Sequence, residues 1–321
     1  MSLIEKASKR LEELRRTGVA VPDGLRPKAT QGGRDIARQP VEPLSIPELV
    51  ATTADIGDLR GAKQSPLRSP MPSQPGRVSK SVTIDLTRLA AQGFVTPDAP
   101  HSPIANEFRV IKRPLLANVQ GRSGVRPKNA NLIMLTSAIA GEGKSFCALN
   151  LAMSIAMELD STVLLVDADV ASPSLLDILR LPHMRGLMDV LTDPKVELPD
   201  TILRTNIEKL SILPAGTRHQ RATEFLASDA MTRLVDEMAS RYSDRIIVFD
   251  SPPLLLTTES PVLAAHMGQI LVVVEAERTT GNTLKQALAR VEQCPVVMTM
   301  LNKARTSDIG PYYGYGSRYA P

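Results

Sequence analysis

The eight-residue segment Ala138-Ile139-Ala140-Gly141-Glu142-Gly143-Lys144-Ser145 limits what this chain can fold into more than any other feature. It stands between the apolar run Leu132–Thr136 and a helical pattern over 144–158. A strand that turns through glycines straight into a helix gathers backbone N–H groups and the positive helix end at one point. That point attracts phosphate oxygens. The strand–loop–helix context is what a Walker A motif requires. Lys144 is expected to reach the β- and γ-phosphates of ATP, and the Ser145 hydroxyl to ligate Mg²⁺. Ala140, Gly141, Glu142, Gly143 and Phe146 complete the expected ATP-binding set. Ala138 stands where the first glycine usually does, so the loop is expected to differ slightly there if that position needs a positive φ.

The sequence around this loop alternates short apolar runs with amphipathic stretches. Strands are expected at Leu132–Thr136, Val163–Val166, Leu210–Leu213, Ile246–Phe249, Ile270–Val274 and Val296–Leu301, with helices over 144–158, 222–241 and 280–293. Continuous apolar strands separated by helices indicate a parallel sheet covered on both faces. The expected fold class is therefore an α/β P-loop NTPase with a mostly parallel sheet. Two of the strands run into acids, Val163–Val166 into Asp167-Ala168-Asp169 and Arg245–Phe249 into Asp250-Ser251-Pro252-Pro253. Ligands of open parallel sheets sit beyond the carboxyl ends of the strands. Asp250 is the expected Walker B acid, holding Mg²⁺ directly or through water. Asp167 is a candidate base for a hydroxyl substrate, or a metal contact, and Asp169 a candidate support for the metal. Asn302-Lys303, at the end of the last strand, is a candidate adenine contact; a polar loop start explains it equally well.

Residues 1–130 hold 14 of the 25 prolines and carry 21 Lys/Arg against 12 Asp/Glu, so the basic balance of the chain belongs to its N-terminal third. No aromatic cluster interleaves with those charges, which argues against a nucleic-acid surface. The expected organisation is an amphipathic helix in 1–18, a Pro-rich and mostly disordered linker over 19–103, a P-loop domain over 104–305 and a tail over 306–321; within the linker, 81–96 regain an apolar pattern (Val82, Ile84, Leu86, Leu89, Phe94) able to pack against the domain. A basic helix is expected near 104–118, with Pro114 able to interrupt it. Two distant cysteines, Cys147 and Cys294, offer neither a disulfide framework nor metal spacing. With no run of about 18 apolar residues, the expected location is the cytoplasm.

Four of the five tyrosines lie in the last ten residues: Tyr312, Tyr313, Tyr315 and Tyr319. A core would not give up its few large aromatics to a Gly-rich terminus, because each would bury a large apolar area. Phenols beside an ATP site read as phosphoacceptors. On Ala138–Ser145, Val163–Asp169, Asp250-Ser251-Pro252-Pro253 and this tyrosine cluster, the chain resembles the bacterial tyrosine kinases of exopolysaccharide loci, within them the autokinases of PEP-CTERM/exosortase loci. The resemblance implies an autokinase that phosphorylates its own tyrosine cluster between subunits of a homo-oligomeric ring. It also implies recruitment to the inner face of the membrane, a membrane polysaccharide chain-length determinant protein as activator, and a cognate tyrosine phosphatase. Asn106, Arg109 and Lys112 hold the register of the family's ring helix, with Glu107 one place off, and Ala171 stands where an Arg often follows the second Asp. Two other readings are a positioning ATPase of the Min or Par kind and an ATP-gated scaffold. The first would carry a Lys where this loop has Ile139.

Overall fold

The computed structural model describes residues 80–305, apart from 123, 125, 243 and 244. Within them one eight-stranded sheet runs in the order β1-β4-β5-β3-β6-β2-β7-β8. The strands are β1 (Ser81–Val82), β2 (Leu132–Ser137), β3 (Thr162–Asp167), β4 (Leu203–Thr205), β5 (Leu210–Leu213), β6 (Arg245–Asp250), β7 (Gln269–Glu275) and β8 (Val297–Asn302). Every pairing is parallel except β4 against β5. All six expected strands are present. The other two, β1 and β4, are too short to show a sequence period.

Alternation along the strands explains why both faces are covered. Ile133, Leu135, Val163, Leu165, Ile246 and Val248 join one buried cluster. Leu132, Met134, Leu164, Val166, Ile247 and Phe249 join the other. A strand buried on both sides cannot show the in–out polarity of a half-exposed one, which is why these runs read as continuously apolar. The first cluster is closed by α2 (Pro103–Val119) and α3 (Lys144–Ala156), the second by α8 (Asp229–Arg241).

The packed unit starts before residue 104, the boundary read from composition. Residues 80–103 form β1 and the short helix α1 (Leu86–Ala91), and Ile84, Leu89 and Val95 are buried. Polar side chains fix this segment. Asn206 accepts from the Ile84 N–H at 2.8 Å and donates to the Ile84 carbonyl at 3.1 Å, and Asn150 accepts from the Val95 N–H at 2.6 Å. The apolar pattern over 81–96 thus packs on the domain, while the polar partners that fix it are 55 and 122 residues away in sequence.

Pro114 does not interrupt α2. Proline removes the hydrogen bond to the carbonyl four residues back. That carbonyl belongs to Val110, whose side chain is 59 % exposed, so it lies where water can serve it, while Phe108, Leu115 and Leu116 hold the helix down on either side. The expected helix over 222–241 is two helices, α7 (Ala222–Leu226) and α8, because Ser228 caps the second by accepting from the Met231 N–H. The connecting helices α4 (Leu175–Leu179), α5 (Leu187–Thr192), α6 (Leu198–Thr201), α9 (Glu259–Ala264) and α10 (Gly281–Ala289) complete the set. None of the described helices is long and apolar enough to cross a membrane. The expected helix in 1–18, most of the expected linker and the 306–321 tail lie outside the described residues.

Candidate active site

The loop Ala138–Ser145 leaves the central strand β2 and enters α3, whose N-cap is Gly143. Gly141 and Gly143 adopt φ of +87° and +93°, conformations that side-chain-bearing residues avoid. A Cβ at Gly143 would also lie 2.2 Å from the Asn302 amide nitrogen. Ala138 does not adopt a positive φ and is fully buried, so the missing first glycine costs no strain there. Ile139 packs against the second core cluster. The position at which Min- and Par-type loops carry a Lys is thus occupied by a core contact.

The carboxyl ends of β3 and β6 meet the loop from the other side of β2. Asp167 and Asp250 are register partners on these neighbouring strands. The segment after Asp250 is pinned across the end of β2, with Ser251 N–H donating to the Leu135 carbonyl at 3.0 Å and Leu254 N–H to the Ser137 carbonyl at 2.8 Å. Thr136 and Ser260 hydroxyls both donate to the Pro252 carbonyl, at 2.7 and 2.8 Å. Lys144, Ser145, Asp167, Asp169 and Asp250 therefore gather at one end of three adjacent strands.

Their contacts differ. Lys144 Nζ donates to Asp169 Oδ2 at 2.6 Å, and Asp169 Oδ1 accepts from the Ser172 N–H at 3.2 Å. The Ser145 hydroxyl accepts from Ser174 Oγ at 2.9 Å. Asp167 Oδ2 accepts from the Leu175 N–H at 3.2 Å, but Asp167 Oδ1 and both oxygens of Asp250 are buried with no hydrogen-bond partner. Burial pushes Asp250 up to about 6, against the lowering influence of Lys144 and of the Ser145 hydroxyl, which lies near but outside hydrogen-bonding geometry. Burial, and next the Asp250 charge, push Asp167 up to about 7.

Three buried acceptor oxygens without donors, beside a serine hydroxyl, fit a hard cation that takes oxygen ligands. No group of three or more His, Cys, Asp or Glu that could hold a metal occurs among the described residues. A cation here would have to draw its remaining ligands from phosphate oxygens and water, the habit of Mg²⁺ rather than of a caged metal. Asp167 is 1 % exposed and Asp250 0 %, so both carboxylates lie beneath the surface at this end of the sheet.

The other expected site residues fall into place less uniformly. The Phe146 ring packs on Phe94, with centroids 4.7 Å apart, and the residue remains part-exposed at the start of α3. Asn302 Nδ2 donates to the Glu142 carbonyl at 2.8 Å and so grips the loop. Glu142 is wholly buried. Lys303, a candidate adenine contact together with Asn302, donates to the Gly141 carbonyl at 2.8 Å and so holds the loop as well. Lys112, expected on a ring helix, is turned inward, with Nζ donating to the Ser154 carbonyl at 2.5 Å and pairing with Glu158 at 2.7 Å. Tyr312, Tyr313, Tyr315 and Tyr319 lie outside the described residues.

A family model described as "AAA domain" matches residues 130–303. The chain is 30 % identical to the putative tyrosine-protein kinase EpsB of Ralstonia nicotianae, over 74 % of this chain and 31 % of that protein. It is 28 % identical to the putative tyrosine-protein kinase CapB of Staphylococcus aureus, over 68 % of this chain and 92 % of CapB. Among solved structures, the chimerical protein CapA2B2 matches with a TM-score of 0.54 at 25 % identity, covering 67 % of this chain and 98 % of that one. The chain thus spans about a third of the length of EpsB and nearly all of CapB.

Proposed function

This chain belongs to the AAA-domain family of P-loop proteins, among the bacterial tyrosine kinases, and from that premise we propose that it is an ATP-dependent autokinase. Its acceptors are Tyr312, Tyr313, Tyr315 and Tyr319 of a neighbouring copy, in a homo-oligomer that regulates exopolysaccharide polymerisation or export. The observation that carries the reading is the set of unpartnered buried oxygens on Asp167 and Asp250 next to Lys144 and Ser145. Burying acceptors without donors is costly, and folds retain such groups where a ligand completes them.

In this mechanism Lys144 leaves Asp169 to contact the β- and γ-phosphates of ATP and offsets charge on the transferred phosphoryl. Asp169 stays beside it and sets its reach. Asp250, Asp167 and Ser145 hold Mg²⁺, which when bound neutralises charge on the phosphate oxygens. Phosphoryl transfer passes through a loose transition state that asks for positioning and electrostatics more than for a strong base. Each phosphate adds about −1.5 to −2 charge to the tail, and residues 131–321 already carry 22 acids against 17 Lys/Arg. A filled cluster therefore drives neighbouring copies apart.

The partners follow from the family resemblance: a membrane polysaccharide chain-length determinant as activator, holding the chain at the inner face of the membrane, and a tyrosine phosphatase that resets the cluster. The likeness to a chimera named CapA2B2 supports the first. Membership of the PEP-CTERM/exosortase subgroup rests on the sequence resemblance alone.

Incubating the purified full chain with ATP and Mg²⁺, then mapping phosphate by peptide mass spectrometry, tests the proposal. Phosphate is expected on the C-terminal tyrosines and on none of them in Lys144→Ala. A chain that binds ATP·Mg²⁺ yet yields no phosphotyrosine, with or without a membrane fraction from its host, refutes the kinase reading.

A further inference from the structure

We propose that Glu142 is a positioning residue, one that presets the phosphate loop from behind without touching the nucleotide. The proposal rests on nucleotide binding by the loop and not on tyrosine transfer.

Glu142 sits between the two positive-φ glycines and is 0 % exposed. Its carboxylate is fully used. Oε2 accepts from the Ile139 N–H at 2.8 Å, across the neck of the loop. Oε1 accepts from the Glu275 N–H at 3.3 Å and from the Thr279 hydroxyl. One oxygen closes the loop on itself, and the other ties it to the segment that follows β7, more than 130 residues away.

That segment is itself fixed. Glu275 pairs with Arg278 at 2.9 Å and with Lys303 at 3.0 Å, and Ala276 N–H donates to the Asn302 carbonyl at 2.9 Å. From the same side Lys303 and Asn302 take the carbonyls of Gly141 and Glu142. A trans peptide places its N–H opposite its C=O, and no described peptide bond is cis. With both carbonyls held toward β8, the N–H groups of Glu142 and Gly143 face away from it, as a phosphate cradle needs.

Electrostatics alone gives this residue no reason to be there. A buried carboxylate within the loop repels the polyanion that the loop receives. Its presence is explained if the gain from a preformed cradle exceeds that repulsion. The two effects have opposite signs, which makes the proposal testable. If Glu142 were only a nearby charge, neutralising it would tighten binding, and ATP would gain more than ADP. If it positions the loop, neutralising it weakens both. Gln offers a donor where Glu offers its second acceptor, so it cannot serve Ile139 and the Thr279–Glu275 side together.

Fluorescent ADP and ATP analogues, titrated with Mg²⁺ into the full chain, provide the assay. Glu142→Gln is expected to weaken both nucleotides by about tenfold or more, the loss of a hydrogen bond to a charged group. Thr279→Val, nearly isosteric, should weaken both in the same direction. Thr279→Ser, which keeps the hydroxyl, should restore binding, a rescue that simple loss of packing would not give. The double variant Glu142→Gln/Thr279→Val should lose less than the two single losses combined, since both break one contact. Unchanged or tighter binding in Glu142→Gln overturns the proposal, as does equal binding by Thr279→Val and Thr279→Ser. A wild-type chain that binds nucleotide but phosphorylates nothing leaves it standing and removes only the kinase reading. A wild-type chain that binds neither nucleotide overturns both.

Discussion

Replacing Asp250 by Asn should make the nucleotide-free protein more stable while destroying its response to Mg²⁺. Asp250 is 0 % exposed, neither oxygen has a donor, and burial raises its pKa from the ordinary 3.8 to about 6. Below the unfolded value both states are protonated and the group favours neither. Between 3.8 and about 6 the unfolded chain ionises while the folded one holds its proton, so stability falls as pH rises through that window. It levels off above the folded value. At roughly 1.4 kcal/mol per pKa unit, the ionised carboxylate costs the fold about 3 kcal/mol at pH 8. Asn carries no charge and brings an amide donor to the end of β6, where Asp167 has an unpartnered oxygen. The second-largest cause of the raised Asp167 value also disappears. Urea unfolding at pH 8 should therefore show a gain of 1 to 3 kcal/mol, roughly the ionisation cost less imperfect repacking. The gain should shrink toward pH 4. In the wild type, adding Mg²⁺ with ADP should raise the melting temperature more than ADP alone, and in Asp250→Asn the metal should add nothing. A variant less stable than wild type at pH 8, or one that keeps its Mg²⁺ response, refutes the assignment of these oxygens to a cation.

Three further outcomes follow from single contacts. Gly143→Ala must accommodate a φ of +93° and a Cβ 2.2 Å from the Asn302 amide, so nucleotide affinity measured by calorimetry should fall by about 2 kcal/mol or more. Lys112→Met keeps the buried stem but removes the donor to the Ser154 carbonyl and leaves Glu158 only the longer, exposed contact to Arg113 at 3.7 Å, and denaturant unfolding should show a loss of about 1 to 3 kcal/mol. Burial and the Asp250 charge push the Cys147 thiol up to about 12, so iodoacetamide at pH 8 should leave Cys147 unmodified in the native protein and alkylate it in urea.

The sheet was legible because its strands are buried on both faces, and such runs stand out whatever their partners. The site was legible to the extent that its chemistry is local. Gly141, Gly143, Lys144 and Ser145 are consecutive or nearly so, and Asp167 and Asp250 each close an apolar run. What escaped depends on contacts between distant segments. Residues 81–96 show an apolar pattern through Val82, Ile84, Leu86, Leu89 and Phe94, but what anchors them does not show, because Asn150 and Asn206 lie elsewhere in the sequence. Lys112 reads as a surface residue on a basic helix until α3 is packed beside it, and then its amine belongs to Ser154 and Glu158.

Glu142 is the sharpest case. By position it reads as a ligand contact, since its neighbours on both sides line a phosphate cradle. Its backbone does belong there. The side chain points to donors at residues 139, 275 and 279, and two of the three become neighbours only when β7 pairs with β2. A pattern of residue types within one segment can specify where N–H groups gather. It cannot specify what holds them at the right angle, because that frame comes from the far end of the domain. The same holds for Lys303 and Asn302, whose grip on the loop depends on β8 pairing with β7. The loop motif therefore encodes the chemistry of phosphate contact, and the order of strands encodes its precision. A substitution in the 275–279 segment should consequently disturb nucleotide binding as much as one inside the motif itself.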